Sequence, residues 1–257
     1  KNLNFSYFIN LLISILPISF IAGNLIINLN IILIIIFSII FYGKKIFSFK
    51  LLTIDKLILL FFLFTVFTAI INNLLILKLN GEFIDYNILI KTLLFQRFLI
   101  LYFVVRYLIL KNILNMRSLF ISASACSFFV CASLIFELIS EFNNLQSPYR
   151  LSGIFGDEQI AGSYLQRFSI FAFFLIPLIF YYKDKKYILF ALSALFILIF
   201  FSMIIAGNRM PIILFLLMFI FLFLIEKKLR KYSIIFVASS FLIFLTILLL
   251  MPEVYDY

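Results

Sequence analysis

A chain of 257 residues that is 66% hydrophobic and 12% charged, with a mean hydropathy of +1.24, is too apolar for a water-soluble domain; such domains are about half apolar and a quarter charged. It reads as an integral membrane protein in which one transmembrane domain, 1–257, uses the whole length. The net charge of +10 does not point to nucleic acid, because the basic residues punctuate apolar runs instead of forming a patch with exposed aromatics, and so act as topology signals.

The first apolar run, 5–21, ends at Ala22-Gly23-Asn24. Ile21-Ala22-Gly23 resembles a small-residue cleavage site, so a signal peptide competes for this stretch; the charge parity described below favours a retained span. Residues 25–42 form a second run, stopped by Gly43-Lys44-Lys45, and 57–71 a third, between Asp55-Lys56 and Asn72-Asn73. A mixed loop, 72–87, with Gly81, Glu82 and Asp85, leads into the fourth run, 88–110, which carries Lys91, Gln96, Arg97 and Arg106. The fifth, 119–139, precedes a long polar loop, 140–161, and the sixth, 162–182, is closed by Lys183-Asp184-Lys185-Lys186. Runs 187–206, 211–225 and 234–251 follow. Each is near the ~20 residues that cross hydrocarbon as a helix, the shorter ones drawing on polar flanks. The predicted fold is an all-α polytopic transmembrane bundle of about nine spans.

Charge orients this bundle. With a cytoplasmic N-terminus and strict alternation, Lys44, Lys45, Lys50, Lys56, Arg106, Lys111, Arg117, Lys183, Lys185, Lys186, Lys227, Lys228, Arg230 and Lys231 fall inside, against only Lys78, Arg150 and Arg209 outside. That is the asymmetry of the positive-inside rule. The chain has no histidine, and Cys126 and Cys131 lie in one apolar run, about 7.5 Å apart along a helix axis. No His, Cys or carboxylate cluster has metal-ligand spacing, so neither a metal nor a cofactor is expected.

Two polar interruptions stand out. Residues 149–167 read YRLSGIFGDEQIAGSYLQR, and a shorter one reads Gly207-Asn208-Arg209-Met210-Pro211. Each carries an arginine, Arg150 or Arg209, on the side where positive charge is otherwise scarce. Gly153 and Gly156 permit tight turns, Asp157 is placed to cap the sixth helix, and Asn208 the eighth, with Pro211 in its first turn. Both arginines then stand beside the positive end of a helix, which attracts anions, and the guanidinium fork suits phosphate oxygens. The competing reading has each arginine capping a loop or pairing with Asp157, Glu158 or Glu141. Arg97 and Arg167 lie deeper, about 13 Å along the helix from Ile88 and about 7.5 Å from Gly162. Ionised groups at such depth usually face a bundle interior or a wet cavity. Glu137 is a candidate partner for Lys91 or Arg167, and Lys91 is long enough to snorkel to the interface.

Over 143–225 the chain resembles the O-antigen ligase and O-antigen polymerase superfamily. The likeness is carried by Arg150-Leu151-Ser152-Gly153-Ile154-Phe155-Gly156-Asp157-Glu158, beside the superfamily's arginine and Gly-x-Phe loop entering a helix, and by Gly207-Asn208-Arg209, beside its Gly/Ser-Arg turn opening a later helix. The resemblance implies a metal-independent membrane glycosyltransferase of the bacterial inner membrane. Such an enzyme moves a glycan from an undecaprenyl-pyrophosphate carrier to a lipid or glycan acceptor on the periplasmic face. It assigns the pyrophosphate to Arg150 and Arg209, with Gly153, Gly156, Asp157, Glu158, Arg167 and Arg97 in support, and expects membrane lipid but no nucleic acid as partner. Glu158 stands where asparagine is usual and Asn208 where serine is common, so ligase and polymerase both stay open. The superfamily's large periplasmic loop with its histidine, and further spans, are lacking between Lys1 and Tyr257, so the chain is expected to be a fragment. The rivals are a transporter or flippase of a lipid-linked or anionic substrate, and a non-catalytic membrane subunit.

The charge parity is testable. Reporters fused after Lys45, Arg117, Lys186 and Lys231 should report cytoplasm, and those after Glu82, Asn144 and Tyr257 periplasm; a periplasmic signal at Lys186 would overturn the orientation.

Overall fold

A computed structural model of the chain describes residues 2–80, 86–141, 151–156, 158–179 and 185–225, with Ile234 and Ala238 besides. Its regular structure is helical throughout: α1 (Asn2–Ile21), α2 (Asn24–Tyr42), α3 (Thr53–Asn80), α4 (Tyr86–Phe95), α5 (Arg97–Leu110), α6 (Met116–Glu141), α7 (Ala161–Phe168), α8 (Ile170–Ile179), α9 (Lys185–Ile205) and α10 (Arg209–Ile225), with short 3-10 turns at Gly43–Phe47 and Gly153–Phe155. A chain this apolar has little choice, because in hydrocarbon the helix alone satisfies its backbone N–H and C=O groups within one segment. Among the described residues five stretches are long and apolar enough to cross a membrane: Asn24–Phe47, Thr53–Asn73, Asn87–Leu110, Met116–Ser140 and Lys186–Ile205. The bent pair α7–α8 makes a sixth if taken as one span, while Phe5–Ile21 and Arg209–Phe221 are apolar but shorter. The chain is therefore an all-α, multi-pass membrane protein. The ninth expected run lies outside the described residues except for Ile234 and Ala238.

Two expected straight spans are interrupted. In the fourth run α4 ends at Phe95 and α5 begins at Arg97. Between them the Gln96 N–H bonds back only three residues, to Leu93 (3.0 Å), and the Gln96 side-chain amide turns to the Phe62 carbonyl (3.3 Å) and Thr65 Oγ1 (3.4 Å). The sixth run is broken at Ser169, where α7 and α8 meet at a 40° bend. There Ala172 N–H bonds to the Ser169 carbonyl at 3.0 Å, a three-residue step that tightens the turn.

Contacts divide the chain into two compact units, Lys1–Asn115 and Met116–Tyr257. In the first, polar side chains join neighbouring helices at specific heights. Asn30 of α2 donates to the Leu12 carbonyl and to Ser19 Oγ of α1, both at 3.1 Å. Asn10 donates to the Ile113 carbonyl (2.9 Å) and accepts the Asn115 N–H (2.6 Å), clamping the end of α5 to α1. Asp55, wholly buried, accepts the Leu52 N–H (2.5 Å) at the start of α3, and also binds Tyr102 Oη and the Arg106 guanidinium of α5. Hydrocarbon does not drive helices together, so such bonds and close packing hold a membrane bundle.

In the second unit α6 packs against α7, α8 and α9. Its core holds Leu134, Tyr164, Met203 and an aromatic group in which Phe196 lies 5.7 Å from Phe215 and 5.2 Å from Phe219.

The Asp55–Arg106 pair yields a prediction. Asp55→Leu or Arg106→Met alone should destabilise the protein by about 3–5 kcal/mol, because each strands a buried charge, while the double variant should recover much of that loss. Monodispersity of detergent-extracted protein after heating measures it; additive losses in the double variant would refute the pairing.

Candidate functional site

The two polar interruptions of the sequence converge at one end of the second unit. Leu151 N–H reaches the Ile205 carbonyl at the end of α9 (3.4 Å), and Gly153 N–H donates to Glu137 Oε2 near the end of α6 (2.5 Å). The loop then folds on itself, Phe155 N–H to Ser152 O (3.2 Å), Glu158 N–H to Phe155 O (3.2 Å) and Ile160 N–H to Glu158 O (2.8 Å). Gly153 has φ +61°, and a Cβ there would stand 2.6 Å from Ser133 Oγ. Glycine is thus required twice over, by backbone conformation and by space. The Phe155 ring lies 5.7 Å from that of Tyr164, which is fully buried in α7.

The second interruption meets the first directly. α9 ends in a turn with Gly207 at φ +69°, the left-handed conformation common just past a helix end. Asn208 follows, and its Nδ2 donates to the Gln159 carbonyl at 2.7 Å. Gly162 lets this contact close, since a Cβ on it would be 3.3 Å from the Asn208 Cβ. Arg209 opens α10 with Pro211 in the first turn, where the ring's missing N–H costs nothing. Between loop and turn lies an open concavity of about 380 Å³, walled by Gln159 and Ser163 on one side and by residues 207–211 on the other.

Of the residues singled out in the sequence, Arg209 is exposed and lines this concavity, and Glu158 is exposed beside Gln159. Gly156 has φ +59° with open space around it. Arg150 and Asp157 lie outside the described residues, as does the side chain of Glu141. α7 begins at Ala161 with Ile160 in the cap position, which makes no side-chain cap bond; the cap expected of Asp157 falls on a residue outside the described ones. Asn208 precedes α10 as expected, and its amide nitrogen donates to the Gln159 carbonyl. Glu137, offered as a partner for Lys91 or Arg167, holds the Gly153 turn. Arg167 is exposed in the last turn of α7. Arg97 belongs to the first unit, where it donates to Asn28 Oδ1 (2.7 Å) and its guanidinium lies 5.0 Å from the Phe98 ring centroid.

Sequence reasoning passed over Gln159, Ser163 and the anchoring role of Glu137. Gln159 and Ser163 are polar residues at the entry to an apolar run, and this was the available signal, although Gln159 itself lies before the start of α7. Chemically, the first N–H groups of a helix beside a guanidinium form an anion receptor, and the amide and hydroxyl opposite add neutral hydrogen-bonding groups. No protein-family model, no curated protein and no solved structure matches the chain.

The anchoring of the loop can be measured. Glu137→Ala leaves the Gly153 N–H unpaired and should cost about 1–3 kcal/mol; Gly153→Val should cost at least as much. A maleimide-reactive Glu158→Cys should label faster in either background, over the buried native cysteines. Unchanged rates would mean that the loop is held elsewhere.

Proposed function

We propose that the chain serves as the donor-binding body of a membrane glycosyltransferase of the O-antigen ligase or polymerase type, taking a glycan from an undecaprenyl-pyrophosphate carrier at the periplasmic face of the bacterial inner membrane. The observation that carries this reading is the meeting of the 151–160 loop with the 207–211 turn around Arg209. Arg209 and the first N–H groups of α10 receive the pyrophosphate. Arg150, next in the chain to the anchored Leu151, is the second cation. Fixed donors aimed at the leaving pyrophosphate stabilise the charge that develops there as the glycosidic bond breaks, and such electrostatic stabilisation commonly lowers a barrier of this kind more than any other effect. The acceptor is a lipid or a glycan. The charge asymmetry of the sequence supports the periplasmic side.

The 40° break between α7 and α8 favours a second reading. Interrupted helices near the midplane are common in transporters, so a carrier of a lipid-linked anion would also use this site.

In a host strain lacking the gene and complemented with variants, Arg209→Ala and Arg150→Ala should each reduce glycan transfer about 10²–10³-fold, as loss of one oxyanion donor does elsewhere. Arg209→Lys should rescue poorly, because a point charge replaces a fork, and Lys185→Ala should leave transfer unchanged. Immunoblots should find equal protein in the membrane. Full transfer by both alanine variants would remove the arginines from the site. Loss of carrier translocation with transfer intact in lysed cells would favour the transporter.

A further inference from the structure

Because α2 and α3 are consecutive spans, the turn Gly43–Phe47 and the residues up to Thr53 lie at one membrane surface. This connection is held firmly to its own unit. Ile46 is wholly buried, and the rings of Phe47 and Phe49 each lie 5.9 Å from that of Phe103. The Arg106 guanidinium stands 4.8 Å from the Phe49 ring centroid. Ser48 N–H bonds back to the Lys45 carbonyl (3.2 Å), and Leu52 N–H to the buried Asp55 (2.5 Å).

What the anchored connection turns outward is cationic and apolar at once. Lys44, Lys45, Lys50 and Lys56 are exposed, and so are Phe47, Leu51, Leu52 and Ile54, the last two at 58% and 59%. Lys111, exposed just past the end of α5, adds a fifth cation about 7.5 Å along from Arg106. Asp55 is the only acid between Lys1 and Gly81, and it is committed to Tyr102 and Arg106. Among the described residues no ion pair engages any of the five lysines. Topology alone asks only that lysines stay on their side of the membrane, and any loose loop serves that. Here they are fixed, left without a counter-charge, and set among side chains suited to the boundary of headgroup and acyl chain.

We propose that the 43–57 connection is a binding surface for anionic phospholipid, with the five lysines on phosphodiester headgroups and Phe47, Leu51, Leu52 and Ile54 on the first acyl carbons. The inference concerns the first unit and is independent of the donor site and its ligand. On the charge parity of the sequence the leaflet is the cytoplasmic one, whose anionic lipids draw juxtamembrane lysines. A soluble acidic partner would match the charges but would not require four apolar side chains beside them, which lipid alone keeps from water.

The chain has no tryptophan, so Leu60→Trp makes a single reporter. Leu60 is exposed, one turn beyond Lys56 on the same face of α3 and about 6 Å deeper. The full chain is reconstituted in phosphatidylcholine vesicles holding a minor fraction of dibrominated phosphatidylglycerol or, in parallel, the same fraction of dibrominated phosphatidylcholine. Quenching should show the anionic lipid favoured about fivefold beside the Leu60→Trp reporter, the enrichment that one lysine near the surface supplies. Phe67→Trp, about 10 Å further along α3, should show no preference. Replacing Lys44, Lys45 and Lys50 together by glutamine should bring the ratio near one, and about 1 M KCl should lower it with the lysines in place, because exposed charges are screened. Equal quenching by the two lipids would overturn the proposal. So would a preference left undiminished by the glutamines or by salt, or one as strong at Phe67→Trp. The salt comparison decides the matter even where the triple variant fails to insert.

Discussion

A backbone N–H held in a half-buried turn against the end of a helix needs an acceptor close by. At Gly153 that demand is met by the Glu137 carboxylate, 2.5 Å away. This bond fixes the 3-10 turn Gly153–Phe155 against the end of α6, and the surrounding contacts are arranged about it. Leu151 reaches the last carbonyl of α9, Phe155 lies against Tyr164, and the residues that follow deliver the Gln159 carbonyl to Asn208. A carboxylate accepting an N–H makes a stronger bond than a neutral acceptor, which suits a joint that must hold a loop of many polar groups beside an apolar core.

The same constraint produces a different answer in the first unit. There the helices keep their own backbone bonds, and side-chain amides and hydroxyls reach across: Asn30 to α1, Asn10 to the 113–115 turn, Gln96 to α3. The buried Asp55 collects a backbone N–H, a phenol and a guanidinium, so its charge is neutralised and its oxygens are bonded. Burying such a pair costs the desolvation of both ions, and Asp55 offsets it by serving three groups at once. These are joints between helices, and they set the register at which apolar faces meet.

The bend at Ser169 gives the second unit its chemical opportunity. A straight span would continue α7 into α8, whose Ile170–Ile179 sequence is apolar almost throughout. Breaking the helix after eight residues instead sets an amphipathic segment at the concavity, with its polar side open and its apolar side on the core. Arg209, on the following helix start, is brought to the same place by the Asn208–Gln159 bond. A polar surface is thereby formed at the head of a run that is otherwise apolar.

Composition and charge determined the class of this protein by themselves, because a chain two-thirds apolar must close its hydrogen bonds in helices. The apolar runs likewise located the helices, from α2 through α10, to within a few residues at most ends. The glycines of the 149–167 stretch announced a tight loop, since only glycine tolerates the positive φ found at 153 and 156 without strain. Tertiary structure alone decided which residues serve that loop. Glu137, Asn208 and Gly162 act through partners 16, 49 and 46 positions away along the chain, and no local periodicity encodes such a distance. The break at Gln96 and the bend at Ser169 were hidden for the same reason: neither is a glycine or a proline, and each shows a shortened backbone step, joined at Gln96 by a side-chain bond to α3, that depends on how the helices have packed.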